Sequence, residues 1–210
     1  MSALEKNIVY MLMSKISEDD EEGKLYTMDF KELKKQVGGF TEKEFDKATT
    51  NLITRPYTIE EDDGKVVLVT SLMTAVHYHP RTKEFKIRIS RNILPYYIKL
   101  KKDYTVFSLD VAFSLRSKYS KRIYEMLSQH KDAGVMHITV DELKHRLALK
   151  DPKKLTETYS SWTAFKGVVL ETAKKELQEH SDITFSYEAK KTGNKYTYLT
   201  FYIARSKNLQ

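Results

Sequence analysis

Phe30-Lys31-Glu32-Leu33-Lys34-Lys35-Gln36-Val37 reads against Val140-Asp141-Glu142-Leu143-Lys144-His145-Arg146-Leu147, 110 positions further along the chain. Each copy begins one residue after a helix-starting signal, Asp29 with Glu32 and Thr139 with Glu142. In that pattern the cap side chain accepts a backbone N–H and the glutamate reaches back to the cap. An Ala-x-x-x-Leu pair follows each copy (Ala48 and Leu52; Ala173 and Leu177), then two β-like runs joined by a turn. A repeat this long is a duplicated domain rather than a solenoid unit. The order helix–strand–helix–helix–hairpin is that of a winged helix. The expected fold class is therefore α+β, two tandem winged-helix domains covering residues 1–104 and 105–210.

Working outward, Leu4, Ile8, Met11, Leu12 and Ile16 predict an amphipathic helix over Ala3–Ile16, ended by the acidic loop Glu18–Gly23. Leu25–Met28 reads as a strand and Asp29–Val37 as a helix stopped by Gly38-Gly39. Thr41 with Glu44 caps a third helix whose inward residues are Phe45, Ala48, Leu52 and Ile53, and Pro56 closes it. Tyr57–Glu61 and Lys65–Leu68 alternate around Asp62-Asp63-Gly64, which predicts the first wing, acidic at its tip. Leu72–His79 and Glu84–Ser90, joined through Pro80-Arg81-Thr82-Lys83 and followed by a helix over Arg91–Leu100, have no counterpart in the second half. Their apolar residues Val76, Tyr78, Phe85, Ile87 and Ile89 exceed what a wing needs and predict a dimer interface; the alternative is an extension of the domain's own sheet.

After a short link at Lys101–Thr105, the second half reads Phe107–Leu115, a helix over Ser117–His130, a strand at Val135–Thr139 and a helix over Val140–Leu149. A polar connection, Lys150–Ser161, leads to the longest helix, Trp162–His180. Wing strands at Ile183–Ala189 and Lys195–Ala204 meet at Thr192-Gly193-Asn194.

The net charge of +7 comes from 36 Lys+Arg against 29 Asp+Glu. Up to Tyr104 the balance is 18 against 17, and from Thr105 it is 18 against 12, which marks the second half as the stronger polyanion binder. The absence of Cys excludes disulfides and thiolate metal sites, and no cofactor or metal is expected. Met1–Lys6 lacks the basic start and apolar stretch of a signal peptide, and no apolar run reaches the roughly 18 residues of a membrane span. A soluble, cytoplasmic protein with no membrane partner is expected.

In a helix-turn-helix the third helix enters the major groove. The inward stripe of Trp162–His180 is Trp162, Phe165, Val169, Ala173 and Leu177, with Val168 and Leu170 beside it. That leaves Ser160, Ser161, Thr163, Lys166 and Gly167 at the leading, outward end and Lys174 further along, suited to base edges and phosphates. A glycine inside a helix costs about 1 kcal/mol relative to alanine, so Gly167 marks a close approach to DNA or to a neighbouring helix, or else a tolerant position. Lys190, Lys191, Asn194 and Lys195 arm the wing for phosphate or minor-groove contact. Arg116, Lys118, Lys121 and Arg122 begin the preceding helix as phosphate clamps, and Lys153 and Lys154 join the DNA-binding set from the connection. The first half is a weaker copy: Lys43, Lys47, Thr50, Asn51 and Arg55 lie on or just after its third helix, but Asp62 and Asp63 repel phosphate. The first domain is thus a secondary DNA binder or a partner surface.

Leu115–Leu127 (LRSKYSKRIYEML), Ile138 with Glu142-Leu143, and the run of Tyr159, Trp162, Phe165, Lys166, Val169, Leu170, Ala173, Glu176 and Leu177 carry a family resemblance. With them the Leu72–Leu100 hairpin and its Leu94-Pro95-Tyr96-Tyr97 helix make nearly the whole chain resemble the iteron-binding plasmid replication initiators, the Rep_3 or RepB/RepE-like family. The resemblance implies two winged helices, the first mediating homodimerisation with added DNA contacts and the second reading origin repeats in double-stranded DNA. It also implies a monomer that initiates replication, a dimer that represses its own promoter, and host partners such as a replicative helicase or its loader. Gly167 stands where many relatives place a basic residue. The chain departs from the family pattern there, and again in starting at its first helix and stopping just after its last strand, so that any family tails are expected to be absent.

Two other classes compete. His77-Tyr78-His79 fits the metal motif of rolling-circle (HUH) endonucleases, and Tyr97 with Lys101 fits their nucleophile motif; His77 and His79 share a strand face and with a carboxylate could hold a hard cation. With 14 Tyr in the chain, a Tyr-x-x-x-Lys match arises readily by chance. The other is a winged-helix transcription regulator, which ordinarily carries a ligand pocket or sensor that this sequence does not display. The expectation is a non-enzymatic initiator.

Overall fold

Ser2 and Glu5 start the molecule with a full capping box. Ser2 Oγ accepts from the Glu5 N–H (3.1 Å) and the Glu5 carboxylate accepts from the Ser2 N–H (3.1 Å), opening α1 (Ala3–Lys15). The same carboxylate, 2% exposed, accepts from Asn51 Nδ2 (2.8 Å) and Arg55 Nη1 (2.9 Å), at the end of α3 (Glu42–Thr54). One glutamate therefore caps the first helix and ties it to the third. Burial pushes its pKa up, but the bonds from Asn51 and Arg55 outweigh this and hold it below the ordinary glutamate value.

The computed structural model describes residues 1–37, 39–61, 66–103, 108–151 and 156–206, and the chain divides into two units, Met1–Thr105 and Val106–Gln210. In the first, β1 (Leu25–Asp29) leads into α2 (Phe30–Val37), where the Asp29 carboxylate accepts from the Glu32 N–H (3.0 Å). Thr41 and Glu44 form a second full capping box at α3. Phe30, Phe45, Tyr78 and Phe85 meet with ring centroids 4.9 to 6.1 Å apart, the aromatic centre of this unit's core. The helix predicted over Arg91–Leu100 is α4 (Leu94–Asp103), because Arg91–Ile93 form a turn before it.

Sheet order revises the sequence reading. In the first unit β4 (Met73–His79) and β5 (Glu84–Ile89) join β1 in the antiparallel order β1-β5-β4, while β2 (Pro56–Glu61) and β3 (Val66–Ser71) pair with each other. In the second, β6 (Val135–Thr139) lies against β10 (Lys195–Arg205), which pairs with β9 (Ile183–Thr192), giving the order β6-β10-β9. The two orders correspond, so by topology β4–β5 is the first unit's wing and β2–β3 is the addition, the reverse of the expected assignment. Two hairpins follow α3 in sequence, and spacing alone does not say which one receives β1. The turn of the topological wing carries Arg81 and Lys83, whereas Asp62, Asp63 and Gly64 lie outside the described residues, as does Gly38.

The dimer-interface expectation fails for three of its five residues. Phe85 and Ile87 are fully buried and Ile89 is 5% exposed, because β5 is the central strand and turns them into its own unit's core. Val76 and Tyr78, on edge strand β4, are half-buried, and the Tyr78 hydroxyl donates to Glu42 (3.2 Å). The hairpin extends the domain's own sheet.

The second unit opens with α5 (Leu109–Ser114) and α6 (Lys118–Ser128), whose Tyr119, Ile123, Tyr124 and Leu127 are buried as expected. Thr139 Oγ1 accepts from the Glu142 N–H (3.0 Å) and starts α7 (Val140–Arg146), which ends before Leu149 because Ala148 adopts φ 55°. Within the polar connection, β7 (Lys150–Asp151) and β8 (Thr156–Glu157) form a short hairpin. The long helix consists of α8 (Trp162–Phe165), a π-helical turn at Lys166–Glu171 and α9 (Thr172–His180). Phe165, Val169, Leu170, Ala173 and Leu177 pack with Ile123, Leu143, Leu199 and Phe201 into a core without exposed surface.

Candidate nucleic-acid interface

The approach to the long helix Trp162–His180 is set by a buried lysine. Lys144, 6% exposed, bonds through its ammonium to the Glu157 carboxylate and the Tyr159 carbonyl (3.0 Å), and lies 5.0 Å from the Phe165 ring centroid. It thereby pins α7 to the segment that delivers Ser160 and Ser161. Its partner in the sequence repeat, Lys34, lies over the rings of Phe30 (5.4 Å) and Phe40 (5.8 Å), so the repeated lysine packs on aromatic rings in both copies.

Ser161 caps α8, its Oγ accepting from the Ala164 N–H (3.2 Å). Ser160, Ser161, Thr163, Lys166 and Gly167 are all exposed at this end, and Lys174 is half-buried further along. The π-turn changes the face from that of a regular helix. Val169 and Leu170 are both fully buried, while Val168, expected beside the inward stripe, stands 42% exposed. The Thr172 hydroxyl donates to the Gly167 carbonyl within this turn (3.3 Å).

Two aromatic contacts fasten the wing to this helix. The Tyr196 ring stacks on Trp162, with centroids 4.1 Å apart and planes 21° apart, and Lys191 Nζ lies 4.7 Å from the Tyr196 ring centroid. On the other wing strand the Tyr187 hydroxyl donates to Glu171 (2.6 Å), and burial together with that carboxylate raises its pKa well above the ordinary tyrosine range. Lys190, Lys191, Asn194 and Lys195 are exposed around the wing tip, where Gly193 takes φ 61°. The long helix reaches the other way too: the Glu176 carboxylate accepts from the Arg116 N–H (3.0 Å) and Ser117 N–H (3.2 Å), capping α6 and setting exposed Arg116 and Lys118 beside it.

Several expected DNA contacts are committed elsewhere. Lys121 has no exposed surface and donates to the Ala112 carbonyl, so it is an internal strut rather than a phosphate clamp. Arg122 pairs with Glu125 (2.8 Å) and is half-buried. Asn51 and Arg55 serve the Glu5 network. Lys43 and Lys47 are exposed but alternate with Glu42, Glu44 and Asp46, and Glu42 itself pairs with Lys83 (2.8 Å). Lys153 and Lys154 lie outside the described residues. Lys144, Tyr196 and Glu176 were not among the expected site residues; the repeat offered a signal for Lys144 alone.

The residues of the alternative catalytic reading lie on two elements, β4 and α4. His77 and His79 are exposed on β4, His79 Nδ1 accepts from the Thr82 N–H (3.2 Å), and Tyr97 is half-buried on α4. Among the described residues no three His, Asp or Glu side chains converge on a metal-sized site, and no helix is long and apolar enough to cross a membrane.

Two corresponding units, the second bearing a helix with exposed Thr163 and Lys166 in its first turns and locked to a lysine-tipped hairpin, define a tandem winged-helix protein of the nucleic-acid-binding type. Residues 1–128 match the family model described as initiator replication protein, WH1, and residues 139–203 the one described as initiator Rep protein, WH2. The chain belongs to this initiator replication protein family. The first match runs through α5 and α6, which pack in the second unit. The PI protein of Escherichia coli is 27% identical over 140 residues, 62% of this chain and 45% of that protein, so the similarity spans less than half of that relative's length. The Pi initiator protein, solved in complex with iteron DNA, shares the fold with a TM-score of 0.82 at 20% identity, over 98% of this chain and 92% of that one. Domains 2 and 3 of RctB align with a TM-score of 0.57 at 8% identity, over 98% and 82%.

Proposed function

We propose that this chain is a plasmid replication initiator that binds directly repeated origin sequences (iterons) in double-stranded DNA. The observation that carries the reading is the exposed Ser160, Thr163 and Lys166 face of a helix clamped through Trp162 and Tyr196 to a wing bearing Lys190, Lys191 and Lys195. Family membership supports it, as does the shared fold with an initiator solved on iteron DNA. Thr163 and Lys166 address base edges. The wing lysines, Arg116 and Lys118 hold phosphates, which fix register without reading sequence.

The first unit adds secondary contacts through Arg81, with Lys43 and Lys47 offset by Glu42, Glu44 and Asp46 among them, and pairs with a second copy, giving a dimer that represses the chain's own promoter. The protein recruits a host helicase or its loader, acts without catalysis of its own, and works in the bacterial cytoplasm. Fluorescence anisotropy on a duplex carrying one origin repeat, beside a shuffled duplex, tests the core of this. Lys166→Ala weakens repeat binding by about 1–3 kcal/mol and leaves shuffled DNA unaffected. Equal loss on both duplexes assigns Lys166 to a phosphate. A wild-type protein with no preference for the repeat, or one that nicks supercoiled plasmid in Mg²⁺ until Tyr97→Phe abolishes it, overturns the initiator reading.

A further inference from the structure

A glycine inside a helix persists where the backbone needs a left-handed φ or where something approaches the Cα closely. Gly167 meets neither need within its own chain. It is absent from the positive-φ residues, it is exposed, and a Cβ built on it meets nothing within 4 Å. Beside it, Val168 is 42% exposed, the one large apolar side chain on a helix that stands open among the described residues. Both sit in the π-turn that buries Val169 and Leu170, and such turns recur at functional sites. The helix thus presents a bare Cα and an isopropyl group directly after the exposed Lys166.

Resting on the proposed DNA reading, we infer that Gly167-Val168 is the thymine-reading step of this helix. Without a Cβ at Gly167 the helix seats close to the groove floor, and Val168 packs against a thymine C5-methyl, the apolar feature of the major-groove edge. Single replacement of each repeat thymine by deoxyuridine, which lacks only that methyl, tests it with the full chain.

Wild type loses about fourfold in affinity at one position, the equivalent of one buried methyl. Val168→Ala binds the thymine and uridine duplexes equally there. Gly167→Ala raises the thermal midpoint, as alanine in a helix should, and weakens repeat binding about tenfold. Uridine losses that are the same in wild type and Val168→Ala at every position overturn the inference, as does Gly167→Ala binding like wild type. If wild type does not prefer the repeat over a shuffled duplex, the initiator reading fails first and takes this inference with it.

Discussion

Replacing Lys144 by methionine removes an ammonium while keeping most of its stem. That ammonium bonds to Glu157 and the Tyr159 carbonyl and lies 5.0 Å from the Phe165 ring centroid, on a side chain only 7% exposed. A hydrogen bond to a charged group contributes roughly 1.5–3 kcal/mol. Two effects offset the loss: the Glu157 side chain is 34% exposed and regains water, and the lysine's own desolvation cost disappears with its charge. The carbonyl bond and the ring contact stay lost. The second unit should therefore lose about 2 kcal/mol in Lys144→Met, and about 4 kcal/mol in Lys144→Ala, where the stem packing goes too. For a unit of this size the methionine variant melts about 10 °C lower.

Urea unfolding followed by fluorescence of the single tryptophan, Trp162, reads this directly, since that residue begins the helix Lys144 delivers. Repeat affinity should fall as the Ser160-Ser161 segment loosens, with the slope of affinity against salt unchanged, because Lys144 neutralises no phosphate. A methionine variant within about 0.5 kcal/mol of wild type, or a flattened salt slope, refutes the reasoning.

Three further outcomes are expected. Glu5 has a folded-state pKa below its unfolded value, so its contribution is complete above the ordinary value of 4.5 and is lost as pH falls through the folded pKa; the melting gap between wild type and Glu5→Gln should close on acidification, and a gap that persists at low pH contradicts the network. Tyr196→Ala should cost about 1 kcal/mol of stability, and in a double-mutant cycle on DNA affinity it should couple to Lys191→Ala; additive effects mean the ring does not place the lysine. Alanine at Lys190, Lys191 or Lys195 should each lower the salt slope by about 0.9 without changing sequence preference, and an unchanged slope removes that lysine from the phosphate contacts.

The duplicated helix, the Thr41 and Thr139 caps and the inward stripe Phe165–Leu177 were legible in sequence because local hydrogen bonding and helical periodicity decide them. Phe85, Ile87 and Ile89 were legible as one strand face, but not as a core face, since alternation does not say what covers a sheet. The same gap hid which hairpin was the first wing: strand pairing is non-local, and β1 had two hairpins to choose from. Lys121 read as a surface charge because lysine is rarely buried, and Lys144 stood out only as part of the repeat; each is buried because a distant carbonyl or carboxylate accepts its hydrogen bonds. The π-turn had no sequence signal beyond Gly167, and it decides that Val168 faces out while Leu170 faces in.

The most direct test of the account is a nuclease-protection footprint of the purified full chain across the origin region of its own replicon. Protected windows should recur at a regular spacing on directly repeated sequence and be lost from the repeats in Lys166→Ala before non-specific coating of the flanks is lost. Uniform protection without repeats, or no protection at concentrations where shuffled DNA is already bound, would contradict it.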